Sequence, residues 1–341
     1  MIATIQRSAM LALFVAAALA GWGFARMFGA ALGTPAAILL GVFCVLALHP
    51  VFVAINFVVS RFWASPAPRD MRLSPWQAID TYDAEVDASV RGFWFAHPFL
   101  SHRPAPDAVA PHRVLPVLFV HGYFCNRALW LPFMHDAARR GTVCEAVTLA
   151  SPFCDIDDYA DAIVAAIDAL LARAARLGSA SDQVAIVAHS MGGLAVRAAI
   201  RRHGAARIAH VITLGTPHAG TVHAHFGRSR NLRQMRPGSA WLFALDAFEK
   251  THEAASGDAT ILPRARYTAV FSYHDNIVAP QESGRLAGAH NIALSGIGHV
   301  TLVYSRRVRE IVFAELEAIE AEPRQVGSLP LDGGGLGRGE N

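Results

Sequence analysis

The sequence predicts an α/β fold, a mostly parallel sheet flanked by helices and preceded by an N-terminal transmembrane helical hairpin. Three observations carry that expectation. Short apolar runs alternate with helical patterns between residues 113 and 320, the order that parallel strands joined by crossover helices require. The apolar run 184–187 leads directly into Ala188-His-Ser-Met-Gly192 and then a helix-like stretch through His203, a strand-to-helix corner with a serine at its tip. Near the amino end, residues 8–24 and 36–59 contain no Asp, Glu, Lys or Arg. A helix needs about 20 such residues to cross a bilayer.

Composition agrees with one catalytic domain plus an attachment. Of 341 residues, 53% are hydrophobic, more than a soluble domain usually carries, and the excess sits in the first 60. The expected division is a transmembrane hairpin over 1–62, an amphipathic helix and linker over 63–112, a catalytic domain over 113–320 and a flexible tail over 321–341. The first apolar run can also be read as a cleaved signal peptide, with Arg7 as its basic region and residues 18–20 as the cleavage site. His49, Pro50 and Asn56 inside the second run are expected either to kink it or to find polar partners, with no function assigned to them. Arg7 precedes the spans, Arg61, Arg69 and Arg72 follow them, and only Arg26 lies between. That asymmetry places both ends, and the catalytic domain, on the cytoplasmic side of the inner membrane; the signal-peptide reading leaves the side open.

Ser74-Pro75 is a good helix start, and Trp76, Ile79, Tyr82, Val86, Val90 and Phe93 follow at spacings of three and four. The expected helix packs this face on the catalytic domain and turns Asp80, Asp83, Glu85 and Asp87 to water. The alternative lays it along the bilayer, where its acidic face gains nothing from anionic lipid. Phe93-Trp-Phe95 and Phe99 are either core or an interfacial belt, and the Pro/Ala-rich stretch 103–111 reads as a linker.

Four apolar runs end in residues with catalytic chemistry. The serine of the corner, Ser190, is the candidate nucleophile; a turn so tight needs small neighbours two positions away, and Ala188 and Gly192 supply them. Residues 114–120 read as a strand leading to His121-Gly122-Tyr123. Acyl transfer builds an oxyanion that needs preorganised donors, each worth about 3 to 4 kcal/mol. The backbone N–H groups of Tyr123 and Met191 are the candidates. Residues 267–275 form a β-rich run ending at Asp275, a carboxylate placed to orient a histidine. Residues 291–299 form another, ending in Gly298-His299. His299 is the candidate base among 16 histidines because of its position after Asp275 and before the last helix. His189, beside the serine, is expected to point away from it.

With these motifs the chain resembles bacterial triacylglycerol lipases and esterases of the α/β-hydrolase superfamily. Two further segments strengthen the likeness, Thr213-Leu-Gly-Thr-Pro-His-Ala-Gly-Thr221 and Arg236-Pro-Gly-Ser-Ala-Trp-Leu-Phe-Ala-Leu245. The resemblance runs from about residue 114 to about residue 316. It implies a Ser190, Asp275, His299 triad, an oxyanion hole at Tyr123 and Met191, and hydrolysis of lipid-like or apolar carboxylic esters. An acyltransferase or thioesterase would use the same triad, and an inactive membrane-anchored scaffold is the contrasting class.

The remaining elements are expected as strands at 143–150 and 208–214 and helices at 159–177 and 308–319. Between 223 and 264, Trp241, Leu242, Phe243 and Leu245 belong either to a lid or acyl pocket or to plain core. Cys144 and Cys154 bracket a strand and stand too far apart to bridge. Cys125 and Cys154 could meet in an exported domain, but free thiols are the expected state. His218, His223 and His225 lack cysteine or carboxylate partners at ligand spacing, so neither a metal nor a cofactor is expected. A net charge of +3 without a basic cluster excludes nucleic acid as a partner. The expected partners are a small-molecule ester or lipid substrate and the membrane.

Overall fold

In a computed structural model, which describes residues 1–108, 113–253 and 261–321, the two apolar runs fold as a long antiparallel pair. Helix α1 (Ile2–Leu32) turns at Gly33 into α2 (Thr34–Leu46) and α3 (Leu48–Phe62). The α2–α3 break at Ala47 has a local cause. Pro50 has no N–H to offer the carbonyl four residues earlier, and its ring crowds that carbonyl. At Gly41 the pair closes tightly, since a Cβ there would lie 2.6 Å from the Ala20 carbonyl oxygen. Both arms of the pair, Ile2–Leu32 and Thr34–Phe62, are long and apolar enough to cross a membrane, and 11% of the most apolar stretch of each is buried.

Helix α4 (Pro75–Ser89) starts at a capping box in which Ser74 and Gln77 satisfy each other's amides. It continues through a π-helical turn, Val90–Ala96, into α5 (His97–Phe99). The helix packs on the catalytic domain with a different face from the one expected. Thr81, Glu85, Ala88 and Ser89 are buried, whereas Trp76 and Ile79 are exposed. Glu85, which the apolar spacing puts on the solvated side, is 1% exposed.

The sheet follows. Its strands are β1 (Val117–Val120), β2 (Cys144–Val147), β3 (Val184–His189), β4 (Ile208–Leu214), β5 (Tyr267–Ser272) and β6 (His290–Leu294). They run parallel in the order β2-β1-β3-β4-β5-β6. Helix α6 (Leu131–Arg139) lies between β1 and β2, and α7 (Ala160–Arg176) between β2 and β3. Helix α8 (Met191–His203) follows β3; α9 (Arg230–Gln234) and α10 (Ala240–Glu253) follow β4; α11 (Thr301–Tyr304) and α12 (Arg306–Ala321) follow β6. Alternate residues face opposite cores. Leu118 and Ile186 pack with Ile163, Ile167 and Leu194 on one side; Phe119 and Val187 pack with Trp130, Phe133 and Phe313 on the other.

Differences from the expected bounds are small and have physical reasons. β1 begins at Val117 because Pro116 cannot donate to the ladder. β2 is shorter than 143–150; it stands at the edge of the sheet, where among the described residues it pairs with β1 alone. β4 covers the expected residues, and α12 extends the expected closing helix at both ends. Trp241 donates its indole N–H to Asp157 at 2.6 Å while Leu242 and Leu245 enter the core. The four cysteines are free; burial pushes the Cys125 and Cys144 thiols up to about 12, far from the nucleophilic form. The tail beyond residue 321 and part of the linker lie outside the described residues.

Candidate active site

Parallel register brings the ends of the strands into line. Val120 pairs with Ala188, His189 with Leu214, Leu214 with Val270 and Ser272 with Leu294. The loops after β1, β3, β4, β5 and β6 therefore open on one edge of the sheet, where a doubly wound fold binds its ligands.

Ser190 caps α8 in a left-handed conformation, φ 57° and ψ −131°. Such a backbone is rare for a residue with a side chain and costs of the order of 1–3 kcal/mol. The turn throws Oγ clear of both strand and helix. It also brings α8 hard against β1, since a Cβ on Gly192 would lie 2.6 Å from the carbonyl oxygens of Val120 and His121.

Ser190 Oγ lies 2.9 Å from Nε2 of His299, and His299 Nδ1 lies 2.8 Å from Oδ2 of Asp275. The three side chains proposed from sequence are thus brought into one chain of hydrogen bonds, and all three residues are buried. Asp275 is itself held. Its Oδ1 accepts the amides of Ile277 (2.8 Å) and Val278 (2.7 Å), which leaves Oδ2 for the histidine. Burial opposes the imidazolium form of His299, but the Asp275 carboxylate outweighs it, and the pKa is raised above 6.5.

The backbone of His299 and of the two residues after it is held by three side chains. The amide of His299 donates to Asn276 Oδ1 at 2.9 Å, and the carbonyl of His299 accepts from His189 Nε2 at 3.0 Å. The sequence turns His189 away from Ser190; the structure sets it against the base instead. Its ring sits 4.6 Å from that of His299, because the space under the imidazole holds a flat donor that reaches the carbonyl. Burial first, and the charge of His299 second, hold His189 well below its ordinary pKa, so it stays neutral. The third clamp is Glu85. Its carboxylate accepts the amides of Val300 and Thr301, both at 2.9 Å, and the Thr301 hydroxyl at 2.7 Å. These bonds offset much of the cost of burying a carboxylate, yet burial still wins and its pKa is raised.

The oxyanion candidates flank Ser190. Met191 opens α8, so its N–H has no acceptor within the helix and points with the positive end of the helix dipole. Tyr123 follows Gly122, where a Cβ would lie 2.7 Å from that of Ser190. Among the described residues neither amide donates to a protein group. The preceding His121 fixes this loop, donating from Nδ1 to the Gly122 carbonyl (2.8 Å) and accepting the Leu149 amide at Nε2 (2.9 Å). Burial lowers its pKa to about 4, which keeps Nε2 an acceptor.

Sequence reasoning missed Glu85, His189 and Asn276 as supports of the site. Asn276 had a signal, its place beside Asp275 in a polar turn. Glu85 had none, because the buried face of α4 is polar and small and breaks the apolar pattern.

Comparison with known proteins agrees with this architecture. A family model described as palmitoyl protein thioesterase matches residues 116–252, a segment that includes Ser190 and stops short of Asp275 and His299. No curated protein matches the chain. Among solved structures, the mature lipase BlEst2 of Bacillus licheniformis superposes with a TM-score of 0.52 at 17% identity, over 62% of this chain and 96% of that one. Lipase B of Aspergillus fumigatus gives 0.46 at 17% identity, over 63% of this chain and 55% of its own. The naproxen esterase of Bacillus subtilis gives 0.40 at 14% identity, over 72% and 99%. The chain has the α/β-hydrolase fold.

Proposed function

We propose that the protein is a membrane-anchored serine hydrolase that cleaves carboxylic esters of apolar acyl groups through an acyl-enzyme on Ser190. The observation that carries this reading is the relay from Ser190 Oγ to His299 Nε2 at 2.9 Å and from His299 Nδ1 to Asp275 Oδ2 at 2.8 Å. It has the geometry that activates a hydroxyl.

Ser190 Oγ attacks the acyl carbon while His299 Nε2 takes its proton. Asp275 keeps the proton on Nδ1 and stabilises the imidazolium that forms. The carbonyl electrons move to oxygen, and the N–H groups of Tyr123 and Met191 donate hydrogen bonds to the oxyanion. Collapse of this intermediate breaks the bond to the leaving alcohol, which takes the proton from His299. Water, deprotonated by the same histidine, then attacks the acyl-enzyme and releases the carboxylic acid and Ser190.

Ser190→Ala should lower turnover of nitrophenyl esters by about 10⁵-fold or more while leaving thermal unfolding unchanged. Persistent activity would reject the assignment. A profile over acyl-chain length, read alongside this variant, identifies the preferred acyl group.

The family-model match over 116–252 favours a second reading, a thioesterase. The same relay serves, with a thiol leaving in place of an alcohol. Matched O-acyl and S-acyl substrates separate the two by their kcat/KM ratio, and product analysis with added alcohol detects acyl transfer. Anchoring is assigned to the hairpin of α1 with α2 and α3, with both ends cytoplasmic, as the basic residues direct.

A further inference from the structure

The ends of the hairpin are seated on the loops that hold the triad. In α1, Gln6 Nε2 donates to the carbonyl of Phe124 (3.1 Å), the residue after Tyr123. Beyond α3, the Ser65 amide donates to Gln281 Oε1 (2.9 Å), and Gln281 Nε2 donates to the Asp275 carbonyl (3.0 Å). The first contact is with the loop after β1 and the second with the loop after β5. β3, which carries Ser190, lies between those strands, so the base of the hairpin straddles the nucleophile on the open edge of the sheet.

Higher on the hairpin the contacts turn aromatic. The Tyr82 hydroxyl donates to the Pro50 carbonyl (3.0 Å), Trp94 Nε1 donates to His49 Nδ1 (3.3 Å), and Phe14 meets the Trp94 ring edge-on at 6.3 Å. At 1.5 Å per residue, Phe14 and His49 stand roughly 24–28 Å from the turn at Gly33, close to the edge of a hydrocarbon core about 30 Å thick. A bilayer crossed by the hairpin from Gly33 to this level would set Trp94 among the headgroups, where aromatic side chains concentrate. Its neighbours Phe95 and Phe99 are 59% and 48% exposed. On α3, Val51, Phe52, Ile55, Val58 and Phe62 stay exposed as far as the catalytic domain. Exposed apolar side chains therefore continue along the hairpin toward the edge that holds the site, with Arg61 the one charged side chain on α3, while Ser190 itself is 9% exposed.

Resting on the serine-hydrolase reading above, we infer that this edge, with Phe95, Phe99 and the base of the hairpin, lies against the bilayer, and that acyl groups reach Ser190 from the membrane. The substrate class is a bilayer-resident long-chain ester or thioester.

The test uses the full-length chain in vesicles of phosphatidylethanolamine and phosphatidylglycerol. A bilayer-borne diacylglycerol and a vesicle-bound S-palmitoyl peptide distinguish the two sources of acyl chain, and soluble nitrophenyl butyrate reports the triad alone. Phe95→Glu combined with Phe99→Glu should lower turnover of the preferred bilayer substrate at least tenfold and leave nitrophenyl butyrate within twofold. Unchanged bilayer turnover would overturn the inference. Should the charged pair fail to fold, a nitroxide on Phe95→Cys, in a background with Cys44→Ser and Cys154→Ser, decides by its depth. Accessibility to oxygen supports the inference, and accessibility to an aqueous nickel chelate overturns it. Loss of both readings is distinguishable: a Ser190 unreactive to fluorophosphonate defeats the hydrolase reading, whereas a reactive Ser190 with residue 95 in water defeats only this one.

Discussion

His299 is the residue on which every part of the site converges. Asp275 holds its ring, Asn276 and His189 hold its backbone, and Glu85 holds the turn that follows. Because the base must be neutral to accept the serine proton and its pKa is raised, activity should be lost as pH falls through a value above 6.5. The acid limb of kcat/KM against pH measures this; a limb below 6.5 would contradict it. Asp275→Asn should lower kcat on the order of 10⁴-fold by leaving the wrong tautomer at Nδ1. Glu85 acts as a positioning residue, and its carboxylate also favours the charged form of His299. Glu85→Gln should therefore lower kcat more than KM and move the acid limb to lower pH. A loss of stability with an unmoved limb would assign Glu85 a structural part alone. The meeting of Ser190, Asp275 and His299 could be anticipated from sequence because each follows an apolar run and their order is informative. Glu85 and His189 could not, because their partners are backbone groups set by distant parts of the chain.

Among the elements, β3 with α8 and β4 were legible almost residue for residue. β3 is a nearly continuous apolar run, β4 is apolar but for His210 and Thr213, and their ends are marked by Ser190 and by Gly215. α4 shows where pattern fails. Its apolar spacing was real, but three hydrogen bonds to one carboxylate decided which face turned inward. A similar network fixes α10 against α8. Arg197 makes two bonds of 2.8 Å to Glu249, and Arg264 donates to the same carboxylate, all within the core. Removing one member of such a group leaves its partner charged and buried. Glu249→Ala should thus cost about 3–5 kcal/mol, seen as a lowered denaturation midpoint. A change under about 1 kcal/mol would show that the network contributes little beyond packing.

At the scale of the whole molecule, two long apolar helices are joined to an α/β-hydrolase fold at its open edge. The helices could be anticipated from charge-free runs, whereas their seating on the loops after β1 and β5 depends on single polar residues, Gln6 and Ser65, that no periodicity reveals. The full chain should stay with membranes through an alkaline carbonate wash, since two apolar spans resist extraction that removes surface-bound proteins. Release into the supernatant would remove the anchor from the account. The central claim, that Ser190 is the nucleophile activated by His299, is tested most directly by labelling with a fluorophosphonate and mapping the adduct by peptide mass spectrometry. The account predicts a single adduct on Ser190 that is lost in His299→Ala. An adduct on another residue, or labelling of Ser190 at an undiminished rate without His299, would contradict it.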